Sequence, residues 1–368
     1  MTAILRSSKF KTDPNGNGGQ RRSAQIQELV IQAGLEACDI NLYSTNRIDR
    51  YVGGLIFLAK HKFNAYPSHR VISLCGKQSK IYYDNLNQHK GSKLLLWEDT
   101  ENYIAPYVAK DFDFNILALP HNLESLVPDQ RDPFTYQPLP DSFANEAKQL
   151  AKANAVFCIA REEQWLLKLY GIDADYLPYY PPQPILSNLL ELRQLRQDTA
   201  PHRFLILGTA INPPTRIGMI EQIQWLSEIS QGVNFTIDII GYGTETLKDY
   251  CCDPRFTLHG TVDSGKLNHL LLNAKAVLAH QKAGVGALTR IPEMLIAGVP
   301  VIANANACRS AFSYPGVYCY DSRDELVAQM SRTLDTPSIL ERPADAETRF
   351  INCLKKLTLT SNVTHSLV

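Results

Sequence analysis

The sequence has no excess of charge of either sign: 37 lysines and arginines balance 37 aspartates and glutamates among 368 residues. Affinity for nucleic acid or an anionic bilayer depends largely on positive charge, so a neutral chain has no overall field to attract either. We therefore expect no nucleic-acid binding. Any anion site has to be built locally from a few groups.

Long hydrophobic runs are also missing. No stretch reaches about 18 apolar residues, so the sequence predicts no membrane-spanning helix. The N-terminal residues have no apolar core of a signal peptide. The eight cysteines form no C-x-x-C pair and stand in apolar stretches, which favours free thiols in a reducing compartment over a disulfide framework. We expect a cytoplasmic protein, which could touch a membrane surface peripherally if its acceptor is a lipid.

Short apolar runs alternate with amphipathic segments along the whole chain. A first series has strands at 2–5, 39–44, 93–99 and 115–120, and a second begins at 203–208. This alternation predicts parallel sheets with helices on both faces. Since a single core rarely exceeds roughly 250–300 residues, the length favours two domains. The predicted fold class is α/β, with two Rossmann-like domains facing each other across a cleft.

A proline-rich and then charged run interrupts the alternation after residue 180. It predicts an interdomain connection over 186–202. The predicted domains are then 1–185 and 203–340, followed by a helical segment at 341–368 that could return to the first domain. Ligands of such sheets bind at the carboxyl ends of the strands, so candidate site residues are sought there.

Two candidate features lie in the first domain. The loop at 15–19, with Gly18 and Gly19, could bring backbone N–H groups to a phosphate or a sugar hydroxyl; a flexible surface turn is the alternative. His121 follows the strand at 115–120. Its imidazole could hydrogen-bond a sugar hydroxyl, with Glu124 as a partner, or it could be a loop histidine without a role.

The strongest candidate stretch is 283–303, with the sequence AGVGALTRIPEMLIAGVPVIA. Gly284 and Gly286 form a loop before a helix predicted at 291–297, and the start of such a helix can hold a diphosphate. Arg290 can add a fixed cation, and Glu293 can accept hydrogen bonds from two ribose hydroxyls. The alternative is a structural loop–helix–strand unit with an exposed Glu293.

This stretch resembles the E-G-x-G-x-x-x-x-E-x-x-x-x-G-x-P-V-I motif of family 4 glycosyltransferases, which have the GT-B fold. HGTVDSGKLNHLLLNAKAVLAH is similar to the segment before that motif, NGNGGQRRS to the family's N-terminal Gly-Gly loop, and LPHNLES to the segment with its active-site histidine. The resemblance implies a hexosyltransferase-like enzyme that moves a sugar from a nucleotide-sugar donor to a sugar, lipid or protein acceptor. Such enzymes typically retain the anomeric configuration and need no metal or other cofactor.

The resemblance also implies a role for each matching residue. Glu293 would bind the donor ribose, and His121 would face the acceptor. The glycines of the two loops would lie beside the donor: Gly284 and Gly286 next to its sugar and phosphates, and Gly18 and Gly19 in the loop that closes on it.

Two departures from the family pattern affect the predicted activity. Val285 occupies the position of the motif's first glutamate, so the carboxylate expected on the transferred sugar is missing. The family's Arg and Lys after the second domain's first strand have only Arg216 as a counterpart, and Arg290 or Lys282 could supply the charge instead. The alternative is therefore a catalytically silent GT-B protein that binds a nucleotide-sugar or a partner. A sugar-nucleotide epimerase of the same fold is a third hypothesis.

Overall fold

The computed structural model describes residues 1–196, 200–230 and 233–363, which form two compact units. Unit 1 contains Met1–Asp13, Arg22–Pro178 and the described residues from Pro343 onward; unit 2 contains Pro14–Arg21 and Tyr179–Arg342. Each unit holds a six-stranded parallel sheet with helices on both faces. The predicted α/β class with two Rossmann-like domains is confirmed.

Unit 1 has the strand order β2-β1-β3-β4-β5-β6. The strands are β1 (Thr2–Ser7), β2 (Leu35–Asp39), β3 (Leu94–Trp97), β4 (Asn115–Ala118), β5 (Ala155–Cys158) and β6 (Ala174–Tyr176). The helices are α1 (Gly18–Gln32), whose first turn belongs to unit 2, α2 (Arg47–His61), α3 (His69–Gln88), α4 (Ala105–Asp111), α5 (Asp141–Leu150), α6 (Arg161–Leu169) and the last helix, α13 (Ala344–Val363). Glu124–Leu126 form a short 3-10 turn.

Successive residues of the central strands enter opposite faces of this sheet. On β1, Ile4 packs with Ile26 of α1 and Phe350 of α13, while Leu5 packs on the other face with Val71 of α3. Both faces are therefore covered, which explains why the strands are continuous apolar runs in the sequence.

Unit 2 has the strand order β12-β11-β10-β7-β8-β9. Its strands are β7 (Arg203–Leu207), β8 (Thr236–Ile240), β9 (Phe256–Gly260), β10 (Ala276–Ala279), β11 (Val301–Asn304) and β12 (Val317–Tyr320). Its helices are α7 (Gln183–Leu195), α8 (Pro213–Ser227), α9 (Ser264–Asn273), α10 (Arg290–Ile296), α11 (Ala305–Cys308) and α12 (Arg323–Ser331), with a 3-10 helix at Thr244–Tyr250.

The run predicted as a connection contains a helix. α7 covers Gln183–Leu195, and its residues Ile185, Leu189 and Leu192 pack into the core of unit 2. Their spacing of four and three residues fits one helical face, which the surrounding prolines and charges hide in the sequence. Positions 197–199 of the predicted connection and 364–368 of the predicted C-terminal segment lie outside the described residues.

Two further predictions of local structure are wrong. The second strand is Leu35–Asp39 rather than 39–44; it is a half-exposed edge strand, so it lacks the apolar run that marks the others. α1 begins at Gly18, so Gly18 and Gly19 form its first turn instead of the preceding loop. The long helix α3 has no counterpart among the elements predicted from the sequence.

Candidate functional site

In each sheet the strand order reverses at one point. This point lies between β1 and β3 in unit 1 and between β7 and β10 in unit 2. Open parallel sheets bind ligands at the carboxyl ends of the strands where the order reverses. The residues that directly follow these strands are Ser8 and Glu98 in unit 1, and Gly208 and His280 in unit 2.

Glu98 is the centre of a buried polar cluster in unit 1. Its Oε1 accepts a hydrogen bond from Arg6 Nε at 2.6 Å, and its Oε2 accepts one from Ser23 Oγ at 2.7 Å and lies 3.3 Å from His121 Nε2. Burial would raise the pKa of this carboxyl, but the hydrogen bond to His121 and the charge of Arg6 outweigh it and lower the pKa to about 2. Glu98 is therefore a carboxylate near neutral pH.

His121, three residues beyond β4, is oriented by this carboxylate. An ionised carboxylate can only accept hydrogen bonds, so the hydrogen between the two groups belongs to Nε2 of the imidazole. The ring also packs against Phe10, with 5.0 Å between the ring centroids. Nε2 is thus committed to Glu98, and Nδ1 is the ring atom left to interact with a ligand.

Glu124 is not the partner of His121. It begins the 3-10 turn, and its Oε1 accepts a hydrogen bond from Asn122 Nδ2 at 2.7 Å. Burial and the neighbouring charge of Glu101 raise the pKa of Glu124 to about 8. The sequence indicates Glu124 as a partner because it is close to His121 along the chain. In the sheet, β3 lies next to β4, so Glu98 at the end of β3 contacts His121 instead.

The two glycine-containing loops predicted from the sequence meet in unit 2. A Cβ atom at Gly18 would lie 2.8 Å from Thr289 Oγ1, so the start of α1 approaches the residue before α10 closely. Gly286 has a φ of 69°, which favours glycine. Arg309 holds this loop by donating from Nε to the Gly286 carbonyl at 3.0 Å and from Nη2 to the Val285 carbonyl at 2.6 Å.

Glu293, in the first turn of α10, is buried rather than exposed. Its Oε1 accepts a hydrogen bond from the Tyr179 hydroxyl at 2.6 Å, and its Oε2 pairs with the Arg21 guanidinium. Burial raises the pKa of Glu293, against the opposing effects of Arg21 and Tyr179. Each oxygen has a further lone pair, so both could accept another hydroxyl.

Arg290 is the first residue of α10 and carries a half-buried cation. Its Nε atom is inaccessible to water and, across the described part of the chain, no acceptor is hydrogen-bonded to it. Its Nη1 lies beside Gly208 at the end of β7, where a Cβ atom would be only 3.1 Å away. Burial lowers the pKa of Arg290 to about 10, so it stays charged near neutral pH. A half-buried cation whose Nε has no acceptor among the described residues indicates an anionic ligand.

The other predicted donor-site residues are placed as follows. Arg216 in α8 donates from Nη1 to Thr246 Oγ1 at 2.5 Å, and Lys282 is exposed. Gly284 packs against Arg309, whose Nη1 would lie 2.8 Å from a Cβ there, and Gly19 is in the first turn of α1. Among the predicted cations, Arg290 is the one with a buried and unpartnered guanidinium nitrogen in the described residues.

Several residues around His121 in unit 1 and around Arg290 and Glu293 in unit 2 were not predicted from the sequence. Glu98 does carry a usable signal, because it follows a buried strand as His121 does. Arg21, Tyr179 and Arg309 meet their partners only through the tertiary fold, and their local sequence gives no sign of it.

The described residues contain neither a metal-binding cluster of side chains nor a membrane-spanning helix. Within 1–196, 200–230 and 233–363, no group of three or more His, Cys, Asp or Glu residues is placed to hold a metal ion. None of the described helices is long and apolar enough to cross a bilayer.

Comparison with known proteins establishes the fold. No protein-family model and no curated protein sequence matches the chain. Among solved structures, a trehalose 6-phosphate synthase from Burkholderia multivorans matches with a TM-score of 0.63 at 11% identity, covering 100% of this chain and 99% of that one. A sucrose-phosphate synthase from Thermosynechococcus elongatus matches at 0.59 and 13%, covering 99% and 98%.

A third solved structure is the UDP-GlcNAc 2-epimerase from Methanocaldococcus jannaschii in complex with UDP-GlcNAc and UDP, with a TM-score of 0.55 at 13% identity, covering 96% of this chain and 99% of that one. At such identities the likeness shows the fold alone. The chain has the paired Rossmann-like domains of the GT-B glycosyltransferases.

Proposed function

We propose that the protein is a glycosyltransferase that binds a nucleotide-sugar donor in unit 2 and transfers its sugar to an acceptor hydroxyl. The half-buried guanidinium of Arg290 carries this proposal. It lies beside Gly208, which directly follows β7, at the point where the strand order of the sheet reverses, and its buried Nε has no acceptor among the described residues. The diphosphate of a nucleotide-sugar supplies the missing negative charge at the position where this fold binds ligands.

In the proposed reaction, the bond between the anomeric carbon and the β-phosphate oxygen breaks. A new bond joins the anomeric carbon to the acceptor oxygen, and the proton of the acceptor hydroxyl is released. Negative charge develops on the departing diphosphate, so Arg290 and the backbone N–H groups of the loop at 284–290 stabilise the transition state. Arg216 and Lys282 are further candidates for this charge.

Glu293 is proposed to bind the donor ribose. Arg21 and Tyr179 fix both carboxylate oxygens, so the group is already oriented before the donor arrives. The ribose hydroxyls would add hydrogen bonds to the remaining lone pairs. Gly18, which has no side chain to fill the space beside Thr289, allows the start of α1 to approach the same place.

His121 is proposed, on the resemblance to family 4 glycosyltransferases, to orient the reacting groups. With Nε2 held by Glu98, its Nδ1 can hydrogen-bond a hydroxyl of the sugar or of the acceptor. Holding a reactant in the right orientation lowers the barrier without proton transfer by the imidazole itself. Ser23 and Arg6 act through Glu98 and are positioning residues.

Retention of configuration and independence of metal ions are proposed on the resemblance to family 4 glycosyltransferases. Val285 replaces a glutamate of the family motif, so the transferred sugar lacks one expected carboxylate contact. We therefore expect a donor sugar that differs from those recognised through that glutamate.

The test is nucleoside diphosphate release from a panel of nucleotide-sugars, with water or simple sugars as acceptors. We expect release from at least one donor by the wild-type protein and a loss of at least tenfold in Arg290→Met. If the folded protein binds a nucleotide-sugar but releases no diphosphate from any donor, it is a silent binding protein and the proposal is wrong.

A further inference from the structure

Two of the eight cysteines lie side by side in unit 2. Cys308 ends the single turn of α11, Cys319 lies in the edge strand β12, and their Sγ atoms are 3.0 Å apart. Both are free thiols. A disulfide bond has about 2.05 Å between its sulfur atoms, so the two side chains need to approach by only about 1 Å to be joined.

The two thiols differ in their access to an oxidant. Cys319 is exposed, whereas Cys308 is 1% exposed and belongs to the apolar core of unit 2. Burial, together with the neighbouring Cys319, raises the pKa of Cys308 to about 12, so this group stays a thiol near neutral pH. The thiolate is the form that reacts with oxidants. Cys319 is therefore the residue that an oxidant meets first, and Cys308 is placed to react second.

Arg309 connects this pair to the glycine loop before α10. It directly follows Cys308, and its guanidinium donates to the carbonyl oxygens of Val285 and Gly286. That loop follows β10, whereas Cys319 lies on β12, on the other side of β11. An approach of Cys308 toward Cys319 therefore carries Arg309 toward β12 and away from the loop.

The end of α11 is the part of this arrangement that can move. The start of α11 is fixed, because Asn304 Oδ1 accepts a hydrogen bond from the backbone N–H of Gln281 at 2.9 Å. Cys319 is held by the pairing of β12 with β11 and by Gln329, whose Nε2 donates to the Cys319 carbonyl at 3.2 Å. Closing a disulfide should therefore displace the end of the helix more than the strand.

We propose that Cys308 and Cys319 form a reversible disulfide with hydrogen peroxide as the oxidant, and that the disulfide loosens the glycine loop before α10. The Cys319 thiolate attacks a peroxide oxygen, the O–O bond breaks, and a sulfenic acid and hydroxide form. The Cys308 sulfur then attacks the sulfenic sulfur, the S–O bond breaks, and the Cys308 proton leaves with the hydroxide as water. Two thiols and one peroxide thus give one disulfide and two waters, and a thiol reductant restores both cysteines by exchange.

The test is peroxide treatment of the full chain, followed by peptide mass spectrometry and hydrogen–deuterium exchange. We expect a pair of peptides joined through Cys308 and Cys319, which a thiol reductant separates. In the oxidised protein the backbone amides of 284–289 should exchange about 3- to 10-fold faster, which is the effect of losing about one hydrogen bond. In Cys308→Ala the sulfenic acid should persist at Cys319, where dimedone traps it.

Three variants separate this pair from other effects of peroxide. Cys252→Ser replaces another exposed cysteine of unit 2 and should form the disulfide as the wild type does. Cys319→Ser, a conservative change at an exposed position, should form none, and exchange at its loop should not respond to peroxide. Arg309→Gln should show fast exchange at the loop both before and after oxidation. Circular dichroism establishes that each variant is folded.

Absence of the disulfide between Cys308 and Cys319 in the oxidised, folded wild type would overturn the proposal. A disulfide that leaves exchange at the loop unchanged would also overturn it. Neither measurement depends on glycosyl transfer. A fall in nucleotide affinity on oxidation is a further consequence that rests on the proposed function, so a protein that binds no nucleotide would refute that function and not the thiol pair.

Discussion

Replacing Arg290 with methionine should stabilise the free protein and weaken its binding of a nucleoside diphosphate. The guanidinium has a buried Nε without an acceptor in the described structure, so the free protein carries an uncompensated charge. Methionine keeps the length of the side chain and removes that charge. The ligand would supply the missing counter-charge, so its binding should depend on the arginine.

The structure sets the size of both effects. The fall in the pKa of Arg290 from 12.5 to about 10 corresponds to a cost of about 3 kcal/mol for the charged form. Part of the residue remains accessible to water, which screens the charge, so we expect a gain of only about 1–2 kcal/mol in unfolding free energy. Loss of charge-assisted hydrogen bonds to a diphosphate should weaken binding by about 2–3 kcal/mol, or roughly 30- to 150-fold.

Arg196 provides a matched control in the same unit. Burial also lowers its pKa to about 10, but its guanidinium donates to the carbonyl oxygens of Leu271 and Ala274. Arg196→Met removes these bonds and should destabilise the protein by about 2–3 kcal/mol, the opposite sign to Arg290→Met. Its affinity for the nucleotide should not change.

Urea unfolding and isothermal titration calorimetry measure the two effects. The calorimetry compares a nucleoside diphosphate with the nucleoside alone, which lacks the phosphates and should bind both proteins equally. If Arg290→Met destabilises the free protein, or if it binds the diphosphate as the wild type does, Arg290 is a structural residue and the reasoning fails.

Three further predictions concern the remaining site residues. Glu293→Gln should weaken nucleotide binding by about 2–3 kcal/mol in calorimetry. Tyr179→Phe removes the hydroxyl that donates to Glu293 and should weaken nucleotide binding by about 1 kcal/mol. Unchanged affinity in Glu293→Gln would show that Glu293 does not bind the ribose. His121→Ala should lower the rate of sugar transfer by about 10²- to 10⁴-fold, with nucleotide affinity retained. Glu124→Gln should leave the rate near that of the wild type. Equal rates in both variants would show that His121 has no role. Glu98→Gln should lower the unfolding free energy by about 3 kcal/mol at neutral pH, because folding lowers the pKa of Glu98 from 4.5 to about 2. This stabilisation is fully present above pH 4.5, the pKa of the unfolded chain, and is lost as the pH falls toward 2. If the difference in urea unfolding between wild type and variant does not shrink over that range, Glu98 does not stabilise the fold as a carboxylate.

The sequence was sufficient to predict the two parallel sheets, because buried strands such as Leu94–Trp97 are unbroken apolar runs. The edge strand β2 and the helices α7 and α3 were harder to predict. β2 is half exposed, and α7 begins with prolines and carries charged residues, so neither shows a pattern that separates it from a loop. α3 mixes polar residues with its buried ones over 20 positions, which hides its helical period.

The candidate sites were predictable only in part. His121, Arg290 and Glu293 stand next to strand ends or at a helix start, where this fold places ligands, and the sequence alone leads to them. Their partners come from distant parts of the chain. Arg21 reaches Glu293 across 272 positions and Tyr179 across 114, and such pairings are set by the tertiary fold rather than by local pattern.

Glycosyl transfer by this protein is tested most directly by a proton NMR time course with a nucleotide-sugar that it binds. If the protein transfers the sugar with retention, the anomeric signal of the donor disappears and an equal amount of nucleoside diphosphate forms. A new anomeric signal of the same configuration then appears in the product. The signal of an epimeric nucleotide-sugar without diphosphate release would make the protein an epimerase. An unchanged donor spectrum with the folded, nucleotide-binding protein would contradict glycosyl transfer.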